Sequence, residues 1–229
     1  QWCHHCCPSP KNFHSCSRIL VIDAMVVFIG GVKYCEYLAI DTSVGLVHRH
    51  LRKGSECTYG YRTVFGALEE AGYTPQAVVS DGGTGVYSTL RYFDIFVHQR
   101  CHVHILRDLK IGLRMPGRRM RKNLRKWYVY QYAKLLLTAE TDEEEMPRKK
   151  HFERVVLRMW PIQGDGEKNT IKAFIHSLPK AYTYRGHAHL MIPTTTNAVE
   201  GYISRVRARL KTMRGLKSPA NAELLLNAI

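Results

Sequence analysis

Arg18-Ile-Leu-Val-Ile-Asp23-Ala-Met-Val-Val-Phe28 is short, apolar and rich in β-branched residues, the composition of a buried strand. One carboxylate sits in its middle. Burying that charge without a partner costs several kcal/mol, so a basic neighbour, a hydrogen-bond network or a metal ion has to offset it. Working outward, Gly30-Gly31 marks a turn, and Val32–Ile40 and Leu46–Leu51 supply two further strands joined through Asp41-Thr-Ser-Val-Gly45. Connections this short make the three an antiparallel meander. Tyr61–Ala71 has helical spacing and is ended by Gly72 and Pro75. Gln76–Ser80 reads as a strand, followed by Asp81-Gly-Gly. Tyr87–Phe93 reads as a helix, Asp94–His98 as a short strand and Val103–Leu113 as a helix.

From Arg114 to His189 the pattern turns helical and charged, broken by Pro116, Pro161 and Pro179, with Glu140–Pro147 a loop or a solvated helix start. After Ile192-Pro-Thr-Thr-Thr-Asn197 comes a long amphipathic helix. Its apolar positions Val199, Tyr202, Ile203, Val206, Leu210 and Met213 share one face, and Gly215 would cap it. This order of elements predicts an α/β fold of RNase H-like type, a mixed sheet flanked by helices with a helical insertion before the last helix. The core would comprise residues 18–113 and 192–229, and the insertion residues 114–191.

At 229 residues, 45% hydrophobic and 23% charged, the chain can bury a core and is not a disordered segment. No apolar run approaches the roughly 18 residues that cross a bilayer, and the N-terminus lacks the basic-then-apolar order of a signal peptide. A cytoplasmic protein with no membrane partner is expected. The seven cysteines are odd in number and scattered apart from Cys3, Cys6 and Cys7, which argues against a disulfide framework. Cys3-x2-Cys6 has half the spacing of a zinc site, but no second such pair follows, so a Cys/His-rich lead-in over residues 1–17 is preferred to zinc.

The formal charge of +15 favours a polyanionic partner, usually nucleic acid. The charge is clustered. Arg107, Lys110, Arg114, Arg118, Arg119, Arg121, Lys122, Arg125 and Lys126 face a single acid, Asp108, between Ile105 and Tyr128; Arg205, Arg207, Arg209, Lys211, Arg214 and Lys217 face none between Gly201 and Asn221. A surface that tracks phosphates requires such clustering. Trp127, Tyr128, Tyr130 and Tyr132 interleave with the first cluster, where they either stack on bases or pack.

Three acids carry the chemistry. Asp23 lies in a strand, Asp81 ends one, and Glu200 begins the last helix. Each has a plain alternative. Asp81 before two glycines suits a turn, and Asn197-Ala-Val-Glu200 fits a capping box in which Glu200 only satisfies a backbone N–H. Together they suit a two-metal phosphoryl-transfer site, because Mg2+ takes hard oxygen ligands and two ions about 4 Å apart can stabilise the attacking and leaving oxygens.

Leu20-Val-Ile-Asp23-Ala, Val78-Val-Ser-Asp81-Gly-Gly, Cys101-His-Val-His104 and Thr195-Thr-Asn-Ala-Val-Glu200-Gly-Tyr, with the basic tail Arg205-Val-Arg-Ala-Arg-Leu-Lys-Thr-Met-Arg-Gly215-Leu, resemble the bacterial insertion-sequence DDE transposases related to the Mutator superfamily. The Thr-Thr-Asn-x-x-Glu-Gly block is the most specific part. The resemblance implies an RNase H-like fold, Mg2+ (or Mn2+) as a pair of ions on Asp23, Asp81 and Glu200, and cleavage of transposon ends followed by strand transfer into target DNA. It also implies a homo-oligomer in the bacterial cytoplasm, associated with the nucleoid when bound to DNA. Cys101, His104 and Asn197 would support the site. Arg107, Lys110, Arg114, Arg118, Arg119, Arg121 and Lys122, with Arg205, Arg207, Arg209, Lys211 and Arg214, would bind DNA. The 22 residues before Asp23 are too few for a helix-turn-helix, so residues 1–17 would be the remnant of an N-terminal DNA-binding module. Two other functions use the same residues: an RNase H-like nuclease without strand transfer, and a truncated, non-catalytic nucleic-acid-binding relic.

Overall fold

The computed structural model describes residues 13–115, 123–159, 164–212 and 216–227. Cys3, Cys6, Pro116, Arg118, Arg119, Arg121, Lys122, Pro161, Met213, Arg214 and Gly215 lie outside them. The chain forms two compact units. One takes the residues up to His98 and those from Thr196 onward; the other is Gln99–Thr195.

The first unit is α/β. Its sheet has the order β3-β2-β1-β4-β5, with β1 Ile19–Ile29, β2 Val32–Asp41, β3 Gly45–Lys53, β4 Ala77–Ser80 and β5 His98–Arg100, at whose first residue the unit ends. β1 pairs antiparallel with β2 and β2 with β3, so the expected meander forms; β4 runs parallel to β1. The β1–β2 connection needs φ above zero at both central residues, and Gly30 (+56°) and Gly31 (+80°) supply it without a Cβ penalty. Side chains alternate across the sheet. Leu20, Ile22, Tyr37, Ala39 and Val78 face one way, onto Tyr61, Val64, Phe65 and Leu68 of α1 (Thr58–Glu70) and Val86 and Leu90 of α2 (Thr84–Tyr92). The opposite face carries α8 (Asn197–Thr212), which packs on β1 and β2 through the buried Val199, Tyr202, Ile203 and Val206.

Tyr37 pins α1. Its ring stands edge-on to Tyr61 at 4.9 Å, and its hydroxyl accepts the Cys57 N–H at 2.8 Å at the helix start. Gly60 lies flat against that ring, where a Cβ would overlap ring carbons.

Asp41 is a second anchor, read from sequence only as part of a connection. Its carboxylate is fully buried and accepts from the Ser17, Arg18, Ser43 and Val44 N–H groups and from the Ser17, Ser43 and Tyr73 hydroxyls. Burial opposes the charge, but the hydrogen bonds from Ser43, Tyr73 and Ser17 outweigh it and hold the acid at about 2 instead of 3.8. An acid held below its unfolded value stabilises the fold above that value, and the stabilisation is lost as pH falls through the folded value. We expect Asp41 to contribute roughly 2 kcal/mol at neutral pH, fading between about pH 4 and pH 2. Urea unfolding of the wild type and Asp41→Asn across that range checks it; a stability difference that does not change with pH would contradict it.

Several boundaries differ from the sequence-based expectation. The last strand is His98–Arg100, not Asp94–His98, because Asp94 takes a left-handed turn (φ +52°) after α2 and delays the extended run. A further helix, α9 (Pro219–Asn227), follows α8; its start is marked by Ser218, whose hydroxyl accepts the Asn221 N–H, and by Pro219 in the first turn.

The second unit is helical: α3 His102–Gly112, α4 Leu124–Leu137, α5 Asp142–Met159, α6 Asp165–Ala181 and α7 Thr183–Gly186. Helix α3, expected in the core with a boundary at residue 113, belongs here instead. Its Ile105 and Leu109, with Leu113 just beyond, are buried with Val129, Ala133 and Leu136 of α4, Phe152 of α5 and Ile171, Phe174 and Leu178 of α6. The divisions accordingly fall at residues 98/99 and 195/196. Pro179 does not break the chain; it sits in the last turn of α6, where its missing N–H forfeits one bond. The acidic run at Glu140–Glu145 is a helix start, with Asp142, Glu143, Glu144 and Glu145 in the first turn of α5. Arg185 ties these helices together through Glu145 (2.7 Å) and Asp142 (3.2 Å), its guanidinium 3.6 Å over the Tyr182 ring. Among the described residues no helix is long and apolar enough to cross a membrane.

Candidate active site

Asp23 lies on β1, and Asp81 stands just past the end of its parallel neighbour β4. In the parallel ladder Val21 pairs with Val79, and two residues further along each chain stand the two acids. Strands in a sheet lie about 4.8 Å apart, so this register brings the two backbones side by side. β4 stops at Ser80 while β1 runs on to Ile29, leaving Asp81 at the carboxyl edge where ligands of open α/β sheets bind. Both side chains are half-buried. Asp23 Oδ1 accepts the Ala24 N–H at 2.8 Å.

The loop after β4 is held from both ends. Gly83 N–H donates to Asp81 Oδ1 at 2.9 Å, and Gly82 N–H donates to Ser80 Oγ at 3.1 Å. Ser80 Oγ in turn lies 2.8 Å from Nε2 of His98, a buried ring set edge-on to Tyr87. Sequence patterns gave His98 no role; only the pairing of β5 beside β4 reveals that it steadies the Asp81 loop.

A further acid was missed altogether. Glu56 lies just before α1, in an irregular stretch without periodicity. Its Oε1 accepts the Tyr61 hydroxyl at 2.8 Å. A Cβ on Gly83 would stand 3.4 Å from Asp81 Oδ1 and 3.8 Å from Glu56 Oε1, so the two carboxylates flank the same glycine. Burial raises the Tyr61 phenol far above its ordinary value, and the charges of Glu56, Asp81 and Asp23 raise it further. One buried hydroxyl thus feels all three acids.

Glu200 arrives on α8. It is half-buried, with Oε1 shielded from solvent. Its N–H donates to the Thr196 carbonyl at 3.0 Å, which makes the buried Thr196 the cap residue and Asn197 the first residue of the helix. Asn197 and Glu200 therefore stand one place too far along for the expected capping box. Asp23 lies opposite Leu38 on the face that α8 covers. Ala198, Tyr202 and Arg205 line a cleft of about 320 Å³ against Ile40, Asp41, Thr42, Gly45 and Leu46 at the β2–β3 turn. Two residues on from Ala198, roughly 200° round the helix, Glu200 occupies the flank turned away from that turn.

Glu36, on the same face of the sheet as Asp23, is excluded as a ligand. It is fully buried against Arg49 at 3.3 Å, and burial pushes its carboxyl up to about 7 against the pull of that guanidinium. Among the described residues no three His, Cys, Asp or Glu side chains stand close enough together to hold one metal ion. The acids mark a sheet edge; they do not form a closed coordination shell.

Cys101 and His104 belong to the second unit. Cys101 is buried and is the cap residue of α3 (φ −64°, ψ 121°), so the two are not an i, i+3 pair on a helix face. His104 Nε2 accepts from Arg107 Nη1 at 3.0 Å. Arg107 and Arg114 are exposed and Lys110 half-buried; on α8, Arg205, Arg207, Arg209 and Lys211 are all exposed. Trp127, Tyr130 and Tyr132 pack on the core of the second unit, and Tyr128 is 49% exposed.

Compared with protein-family models and with curated proteins, the chain matches no family model and no curated protein.

Proposed function

We propose that the protein is a DNA transposase of the bacterial insertion-sequence type, cutting DNA at transposon ends and joining the cut strand to target DNA. The observation that carries this reading is the register of β1 and β4, which sets Asp23 and Asp81 side by side at the carboxyl edge of the sheet. The order β3-β2-β1-β4-β5, with an antiparallel meander and β4 parallel to its first strand, supports the finer assignment to an RNase H-like sheet.

The donor type suits a hard divalent cation, carboxylate oxygens on half-buried side chains, although among the described residues no three of them are gathered closely enough to hold one ion. Asp23, Asp81 and Glu200 would hold two Mg2+ or Mn2+ ions. Ions held there would supply a water of lowered pKa and charge stabilisation for an in-line displacement. The chain's own contributions are positional. Backbone N–H groups of Ala24 and Gly83 orient one oxygen of each Asp. The Ser80–His98 contact steadies the loop that carries Asp81. Arg205, Arg207, Arg209 and Lys211 offer phosphate contacts along α8, the helix that carries Glu200, and Arg107, Lys110 and Arg114 offer them on the second unit. In the first step water oxygen bonds to phosphorus and the P–O3′ bond breaks, the 3′ oxygen leaving with a proton. In the second that 3′-hydroxyl attacks a phosphodiester of the target and displaces its 3′ oxygen.

One observation favours a non-catalytic nucleic-acid-binding module instead, the lack of three gathered ligands among the described residues. Glu200→Gln separates the two. The amide keeps the side chain's size, and the first helical bond belongs to Thr196, so folding should be unaffected. We expect nicking of plasmid DNA in Mg2+ or Mn2+ by the wild type, and a fall of about 100-fold or more in the variant. Equal nicking by both removes Glu200 from the site. No nicking by either, with DNA retained on a filter, favours the binding module. Strand-transfer products from an oligonucleotide with a free 3′-hydroxyl distinguish a transposase from an RNase H-like nuclease.

A further inference from the structure

We propose that the outer face of α1 and the end of α2 form a platform for unpaired nucleic-acid bases, built from Tyr59 and Tyr92 with the guanidinium groups of Arg52 and Arg62 laid over them. The platform goes beyond the proposed function and needs neither a metal ion nor Glu200. Its geometry is that of stacking. Arg62 lies 4.4 Å over the Tyr92 ring, and Arg52 lies 5.7 Å over the Tyr59 ring. Tyr59 and Arg62 stand three residues apart on α1 and so share one face of it, which joins the two pairs into a single row. Both rings remain open to solvent, Tyr59 at 67% and Tyr92 at 63% exposure.

The other arginine–tyrosine contacts are internal. Tyr202, under Arg205, is buried, and Arg185 over Tyr182 is bound to Glu145 and Asp142. Ion pairs among the described residues take Arg49, Arg100, Arg148 and Arg185 and leave Arg52 and Arg62 to the rings. Arg91 precedes Tyr92 and Asp94 follows it, so the local charge rests with Arg52 and Arg62; Glu69 and Glu70 stand at the far end of α1, about two turns beyond Arg62. Open aromatic faces beside guanidinium groups suit a single strand: a base stacks on the ring, and the guanidinium takes the adjoining phosphate or extends the stack. In a duplex the base faces are closed against one another, so duplex DNA gains only phosphate contacts here. An acidic peptide would meet the guanidinium groups and leave the ring faces wet. Trp127, Tyr130 and Tyr132, interleaved with charge in the sequence, pack on the core of the second unit; the rings free to stack lie outside that cluster.

The test is fluorescence anisotropy of a labelled oligo(dT) of about 12 nucleotides, beside a duplex of the same length, with the full chain in EDTA so that no metal takes part. Tyr59→Ala and Tyr92→Ala should each weaken oligo(dT) binding about 10-fold, and together about 100-fold, with the duplex held as by the wild type. Tyr59→Phe and Tyr92→Phe should bind like the wild type, because stacking needs the ring and not the hydroxyl. Melting temperatures should be unchanged, since the rings are exposed. Should an alanine variant lose cooperative melting, photocrosslinking of the wild type to a 5-iodouracil oligonucleotide decides instead: crosslinks at Tyr59 or Tyr92 support the platform, and crosslinks only elsewhere overturn it. Unchanged oligo(dT) binding by the double alanine variant overturns it. So does a wild type that holds duplex and no oligo(dT), an equal loss of both probes, or displacement by polyglutamate as ready as by unlabelled oligo(dT). Binding is read without metal, so the platform stands if plasmid nicking is never seen, and the proposed function stands if the platform fails.

Discussion

On the proposed function, Asp81→Asn should lower DNA cleavage about 1,000-fold while leaving the melting temperature unchanged, because several kcal/mol of transition-state stabilisation would depend on the lost charge. The substitution is chosen for what it keeps. Asp81 Oδ1 accepts the Gly83 N–H at 2.9 Å, and the amide oxygen of asparagine can accept it equally well. The Ser80–His98 contact and the Gly82 bond to Ser80 do not involve the side chain at all. What changes is one of the three negative charges that the buried Tyr61 hydroxyl feels. Nicking assays in Mn2+ beside thermal melts provide the check. Wild-type cleavage by the variant would remove Asp81 from the chemistry. Loss of cleavage together with loss of cooperative melting would make it a structural turn residue, the plainer alternative for an Asp before two glycines.

Gly60→Ala should destabilise the protein by about 3 kcal/mol or more, the upper end of what overpacking costs. Within a helix the same exchange ordinarily gains up to about 1 kcal/mol. The sign reverses here because the new methyl group would overlap the Tyr37 ring. That ring has no exposed surface and cannot swing away: Tyr61 stands against it, and its hydroxyl holds the Cys57 N–H. Gly66, six residues on in the same helix, has open space where its Cβ would be. Gly66→Ala should therefore follow the ordinary rule and raise stability. Urea unfolding of the pair decides the matter, and equal effects at both positions would contradict the packing described around Tyr37.

The strands were legible because their signal is local. Ile19–Ile29 is an apolar run broken only by Asp23, and two glycines separate it from the largely apolar Val32–Asp41. Asp23 was legible for the same reason, as a charge where the pattern forbids one. The apolar face of α8 could be read off its spacing, and Val199, Tyr202, Ile203 and Val206 are buried. Three things were not legible. The boundary between units depends on which neighbours bury α3, a question of tertiary partners that the periodicity of α3 does not contain. Asp41 looked like any turn aspartate, since only its Ser43 and Val44 donors are local, and those from Ser17, Arg18 and Tyr73 lie far away along the chain. Glu56 lies in an irregular stretch, and only the packing of Tyr61 gives it a fixed direction.

The first unit is left at His98 and rejoined at Thr196, with the whole second unit made in between. On the ribosome this sets an order of assembly. The meander, α1 and β4 emerge before Gln99–Thr195 and can pair while it is still being translated, so Asp23 and Asp81 precede the second unit. Glu200 follows only after the helices α3 to α7 have been synthesised. An interrupted nascent chain that stops within the second unit would carry Asp23 and Asp81 and lack Glu200, so the candidate acids come together only after the second unit has been made.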